Sequence, residues 1–342
     1  MKNLVLLIGI VISWNPLSYA QIKLNHNTII AFATVEEGRE TLTAQDDFVL
    51  CMSPFDRASR VKTDSDVSEE DYLEFVGKNV LAWKDAEKKK IITAFEGVQA
   101  KLEELALPFP EKVFFIKTTG REEGGAAYTR ANAVILPEGN LAASDANLKK
   151  LISHELFHIL TRENPDLSEK LYASIGFVKC SEDVFPLELK SRKITNPDAP
   201  RNNHCIRLRV GLNDQWAVPI LYSKTEKYDV RQGGEFFNYL RFQFLLVEWN
   251  DKSSEAKPVY EDQKPKLIDL KQASGFFEQV GKNTQYILHP EEILADNFSL
   301  LVLQESKVPS PAILKKIEEI LKEEKHKDTS SPADAEKSTP QA

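Results

Sequence analysis

The chain has 342 residues, 42% of them apolar and 28% charged, which is enough to bury one large core or two modest ones. A net charge of −8 with no Lys/Arg stripe excludes nucleic acid as the natural partner. Beyond the N-terminal leader no stretch is apolar and long enough for a transmembrane span.

Lys2, the apolar run 4–12 and the small residues Ser18 and Ala20 read as a signal peptide over residues 1–20, cut after Ala20. A secreted or periplasmic protein is expected, and no Cys follows the cut to carry a lipid. Residues 21–66 read as an N-terminal β segment, with strands over 28–34 and 48–52 and a charged loop over 56–66. Ser68 and Asp71 form a capping box that opens a helix to about Trp83. A longer amphipathic helix over 86–107 is stopped by Pro108 and Pro110. Strands follow at 112–117 and 132–136, around a turn built on Gly120, Gly124 and Gly125.

The stretch 151–160 carries the strongest chemical signal, His154-Glu155-Leu156-Phe157-His158. On a helix, residues four apart share a face, so both imidazoles can grip one metal ion, and Zn²⁺ is the usual one. Glu155 leaves the same helix beside them, within reach of a metal-bound water. Asp145 is the expected N-cap, and Leu148, Leu151, Ile152, Leu156, Ile159 and Leu160 make the helix a buried one. A plain amphipathic helix with two hydrogen-bonded core histidines is the alternative. Beyond it, a helix over 167–175 leads into segments rich in aromatic and β-branched residues at 205–210, 216–222 and 236–249, with Gly233-Gly234 as a turn. Cys180 and Cys205 either close a disulfide that leaves Cys51 alone, or all three are unpaired thiols.

The order of long helix, strands and His-Glu-x-x-His helix resembles the zincin metallopeptidases. In them a small twisted sheet packs on the metal helix, and its antiparallel edge strand binds extended substrate through main-chain hydrogen bonds. The counterpart here is Gly125-Ala126-Ala127-Tyr128-Thr129, which makes Ala126, Ala127 and Tyr128 the expected substrate-binding residues. The metzincin branch needs Gly and His where Thr161 and Asn164 stand, and peptide deformylases need an upstream Cys in a glycine-containing loop that Cys51 lacks. The gluzincin branch takes its third ligand from a Glu on a second helix, often followed four residues later by an Asp. His289-Pro290-Glu291-Glu292-Ile293-Leu294-Ala295-Asp296 is similar to that pattern, with Pro290 in the first turn.

The resemblance implies a zinc site of His154, His158 and Glu292, one Zn²⁺ per chain, with Asp296 accepting the free N–H of a ligating imidazole. Glu291 is the rival ligand, but Ala295 one turn on can orient nothing, so Glu291→Ala is expected to be tolerated. The expected fold is α+β: a zincin-like catalytic domain over 67–306 with a β-rich insertion over about 177–265, then a C-terminal helix and polar tail over 307–342. The stretch between His158 and Glu292 is far longer than in compact gluzincins, and its loop 194–200 is stiff and polar enough to overhang the metal. His204 and Tyr286, with Tyr172 behind them, are the candidate oxyanion donors. The implied activity is hydrolysis of a peptide or protein substrate by a metal-activated water with Glu155 as general base. The alternative is a non-catalytic exported protein whose zinc braces the fold. Cleavage specificity and oligomeric state are not legible.

Overall fold

The computed structural model describes residues 22–25 and 27–329, and it is a mixed α+β protein. The expected signal peptide and the end of the polar tail lie outside the described residues. In chain order the first half comprises β1 (Ile22–Lys23), β2 (Ile29–Phe32), α1 (Val35–Leu42), α2 (Asp47–Cys51), α3 (Pro54–Val61), α4 (Glu69–Lys78), β3 (Val80–Leu81), α5 (Asp85–Leu105), β4 (Lys112–Thr118), β5 (Tyr128–Arg130) and β6 (Ala133–Pro137). Then come α6 (Asp145–Glu163), α7 (Pro165–Ser174), β7 (Phe177–Lys179), β8 (His204–Val210), β9 (Asn213–Ser223), β10 (Leu240–Asn250) and β11 (Glu255–Pro258). A small hairpin of β12 (Tyr260–Glu261) and β13 (Lys264–Pro265), then β14 (Leu267–Ile268), β15 (Ala273–Ser274), α8 (Phe276–Val280), α9 (Pro290–Val302) and α10 (Pro311–Thr329) complete the chain.

The first sheet runs β1-β2-β4-β6-β5, with β3 against β4. Strands β2, β4 and β6 are parallel, whereas β5 is antiparallel to β6 and forms the sheet edge. Alternation of side chains gives each strand two buried faces. Val113, Phe115, Val134 and Leu136 face α5 and α6, while Ile116, Ala133 and Ile135 face the helices α1, α2 and α4. The sheet therefore lies between two helical layers. Gly120 holds the turn after β4 at φ 79, where an added Cβ would come 2.8 Å from the Pro137 side chain.

The second sheet is an antiparallel meander, β11-β10-β9-β8-β15, with β7 on β8 and β14 on β10. It begins at Phe177, as the composition suggests, but runs to Ser274, beyond the expected end of the insertion. A Cys180–Cys205 disulfide ties its entry to β8, and Cys51 is free. Its inner face does not form a separate core. Ile206, Leu208, Ala217, Phe244 and Leu246 join the cluster that includes α6 and α9, and Ile313, Ile317 and Leu321 of α10 close it.

Residues 21–66 are not the β segment expected. Residues 48–52 fall in α2 and its C-cap, and most of 56–66 is α3 and the turn that ends it. Local chemistry explains both helices. Asp46 caps α2 through the Val49 N–H, and Ser53 caps α3 just ahead of Pro54 in its first turn. A five-residue apolar run has no period of its own, so these caps were the better signal. The charge in α3 is not solvated either. Arg60 is buried and bonds Asp56 (2.6 Å), Glu123 (2.7 and 3.0 Å) and the Thr195 carbonyl (3.0 Å). The helix from Ser68 ends at Lys78 rather than Trp83, whose indole instead donates to the Phe115 carbonyl. Ser144, not Asp145, caps α6.

Candidate metal centre

Helices α6 and α9 cross with their polar positions facing one another. Helix α6 is otherwise apolar, so His154, Glu155 and His158 are drawn into the interior with it. Helix α9 starts where His289 accepts the Glu291 N–H on its Nδ1, with Pro290 in the first turn. Ile293, Leu294 and Phe298 then anchor it in the core, which fixes the direction of the acids between them.

His154 Nε2 lies 3.1 Å and His158 Nε2 3.6 Å from the same oxygen, Glu292 Oε2. Donors on a tetrahedral zinc with ~2.1 Å bonds stand about 3.4 Å apart, so the three atoms already sit at that spacing. His158 Nε2 and Glu155 Oε2 are buried with no hydrogen-bond partner, which is costly unless something else takes them. Both other ring nitrogens are spoken for. His154 Nδ1 donates to Asp296 Oδ1 (3.2 Å), and Asp296 also accepts from the Thr284 hydroxyl. His158 Nδ1 donates to Glu291 Oε1 (2.9 Å). Each ring thus keeps its Nε2 lone pair free to point inward.

Charge tells the same story. Glu155, Asp198, Glu291, Glu292 and Asp296 surround two imidazoles. Burial, with the Asp198 charge second, raises the Glu155 carboxyl to about 8. Burial opposes charge on His158, yet Asp198 and Glu292 outweigh it and raise the ring to about 9. Burial would likewise raise Glu292, but the two histidines hold it at about 2. An excess of buried negative charge that pulls protons onto imidazoles is the same excess a divalent cation neutralises. The residues fit a zinc ion: two neutral imidazoles and one carboxylate, with Glu155 beside them and not needed as a ligand.

The structure corrects the reading of Glu291. It is 2% exposed and accepts from His158 Nδ1, the Thr161 hydroxyl (2.6 Å) and the Tyr172 hydroxyl (2.5 Å). It does for His158 what Asp296 does for His154. The missed signal was arithmetic, because two ligating imidazoles need two acceptors and Asp296 can serve only one. Tyr172 is spent on Glu291, so it sits behind the metal ligands and not over the reacting face. His204 is further back still. Its Nε2 meets Glu169 at 3.2 Å and its ring packs edge-on against Tyr172, so no contact brings it among the ligands.

Tyr286 is brought to the site. Its ring centroid is 6.4 Å from that of His154, and the Glu292 charge, then burial, raises its hydroxyl well above the usual phenol range. It shares a cavity with Ala126, Ala127, Tyr128 and Asp198. The strand there is shorter than expected, starting at Tyr128, with Ala126 still in the turn that precedes it. Two residues of the loop expected over the metal reach the centre: Asn196 donates to Glu292 Oε1 (2.5 Å), and Asp198 lies beside Glu155 and His158. Among the described residues, no helix is long and apolar enough to cross a membrane. No protein-family model, no curated protein and no solved structure matches this chain.

Proposed function

We propose that this protein is an exported zinc-dependent peptidase of gluzincin type, with a zincin-like catalytic unit carrying the second sheet as an insertion. The observation that carries the reading is the convergence of His154 Nε2, His158 Nε2 and Glu292 Oε2 at the spacing of zinc donors, with an unpaired Glu155 carboxylate next to them. The Cys180–Cys205 disulfide fits an oxidising compartment, as the expected signal peptide does.

When bound, zinc supplies Lewis acidity and lowers the pKa of a water in its open position towards roughly 7. Glu155 takes the proton from the attacking water and delivers it to the leaving amine. Its unpartnered oxygen and its burial keep it from being spent on a structural bond. Asp296 and Glu291 hold the imidazole tautomers, so the rings do not turn during the reaction. Tyr286, still a phenol beside Glu292, donates its O–H to the developing oxyanion. A peptide or protein chain adds to β5, the sheet edge next to the centre.

The test uses metal analysis and a peptide library. The purified chain should carry about one zinc, and His158→Ala should carry almost none. Glu155→Gln should retain zinc and fold while losing about 10²–10⁴-fold in hydrolysis. Equal zinc in wild type and His158→Ala would remove the site. Zinc without any turnover would favour a metal that only braces the fold.

A further inference from the structure

The loop 196–200 lies across the groove that the proposed peptidase reading gives to substrate. Asp198 Oδ1 accepts both the Thr129 N–H (2.8 Å) and the Thr129 hydroxyl (2.5 Å). Thr129 is the middle residue of β5, the sheet edge, and that N–H points away from β6. It is therefore the hydrogen-bond donor an added strand would use, and a side chain of this same protein already holds it. One residue earlier, Pro197 lines two cavities at once. The first, of about 320 Å³, runs along Arg130 and Ala131, and the second along Ala126, Ala127 and Tyr286. Pro197 and Asp198 border both, so the loop stands as a bar that divides one continuous edge-strand groove into two compartments.

The same loop reaches the metal ligands. Asn196 donates to Glu292 Oε1, and the carboxylate of Asp198 lies within 4.8 Å of donor atoms of both Glu155 and His158. Its ends are pinned. The Thr195 N–H donates to Asp56 and its carbonyl accepts from buried Arg60, while Lys193 Nζ donates to the Pro200 carbonyl (2.7 Å). The Asp198 N–H turns back onto Asn196 Oδ1 (3.0 Å), which keeps the span between the pins folded in place. Only residues 196–199 can swing, and the bonds that resist are those to Thr129 and Glu292.

We propose that residues 196–199 are a built-in occluding strap: Asp198 occupies the main-chain donor of the edge strand, and an extended peptide enters only by displacing it. The strap makes the closed state the resting one, and it rests on the reading of β5 as the substrate edge. A strap closed about nine-tenths of the time weakens the apparent affinity for an extended ligand about tenfold, because only the open fraction binds. Its removal should therefore tighten binding, whereas loss of a substrate-contacting residue would weaken it.

The experiment compares full-length, zinc-loaded wild type with Asp198→Ala and Pro197→Gly. An octapeptide of alanine and leucine ending in a hydroxamate is titrated by calorimetry, and amide exchange at Thr129 is followed by mass spectrometry. The strap requires Thr129 to exchange about tenfold faster in Asp198→Ala, with Val134 and Ile135 of β6 unchanged, and the hydroxamate Kd to fall about tenfold. Pro197→Gly keeps the carboxylate and loosens the loop, so it should shift the Kd the same way and serves if Asp198→Ala does not fold. A Kd that is unchanged or weaker in the variant that folds, at equal zinc content, overturns the strap and makes Asp198 a working part of the cleft. The readout is binding and not turnover, so a chain that hydrolyses nothing would fail the peptidase reading while the Kd comparison still judges the strap.

Discussion

The two histidines of α6 stand one turn apart, and their surroundings differ. His158 is sealed: its side chain is 1% exposed, and its partner Glu291 is 3% exposed and holds two further hydroxyls. His154 is at the mouth: its side chain is 13% exposed, and Asp296 is 16% exposed and is approached by Lys150 at 3.7 Å. One helix, α9, supplies both orienting acids and places Glu292 between them. The difference teaches that a metal site has a structural side and a working side. On the sealed side the carboxylate is part of the core, so its loss is paid in stability as well as metal binding. On the open side water can replace the lost partner, so only the metal affinity should suffer.

Glu292 belongs to both sides, so Glu292→Ala should give the largest effect, a fall from about one zinc per chain to almost none by atomic emission. Retention of zinc by that variant would break the comparison at its centre. Next comes Glu291→Ala, which leaves His158 Nδ1 and two buried hydroxyls without an acceptor. It should cost about 3 kcal/mol of unfolding free energy by urea titration, and weaken zinc as well. Asp296→Ala should weaken zinc about 10–100-fold in a chelator competition and cost under about 1 kcal/mol of stability. Equal stability losses for Glu291→Ala and Asp296→Ala would mean the sealed and open sides are not different. Tyr172→Phe should cost about 1 kcal/mol by removing one of the three donors to Glu291, with zinc still bound. Lys150→Ala, half exposed and distant from Asp296, should change stability by less than about 0.5 kcal/mol.

Much of this centre is legible in the chain alone, for a physical reason. His154 with His158 and Glu292 with Asp296 are spaced by four residues, so a helix of 3.6 residues per turn puts each pair on one face before any packing is known. The apolar residues around each pair say that those faces are buried, and a buried face of two imidazoles and two acids calls for a cation. The strands β4 and β6 are also readable, because each is a short β-branched and aromatic run between turn residues. Residues 48–52 mislead because five apolar residues carry no period, and their helix is set by the Asp46 cap.

What only the tertiary structure decided is everything that depends on how two distant segments meet. Helices α6 and α9 are separated by more than a hundred residues of sequence, and their crossing angle, not any local spacing, turns Glu291 towards His158 and leaves Asp296 at the mouth. Arg60 looks like a solvated charge in its own stretch and is a buried tie between α3, Glu123 and Thr195. Asp198 lies in a Pro-rich loop with no periodicity at all, and its bond to Thr129 joins residues 69 positions apart. Helical and strand periodicity report which face of an element is buried. They hold no information on which buried faces meet, because that is fixed by the packing of the whole core and the cost of leaving any polar group inside it unpaired.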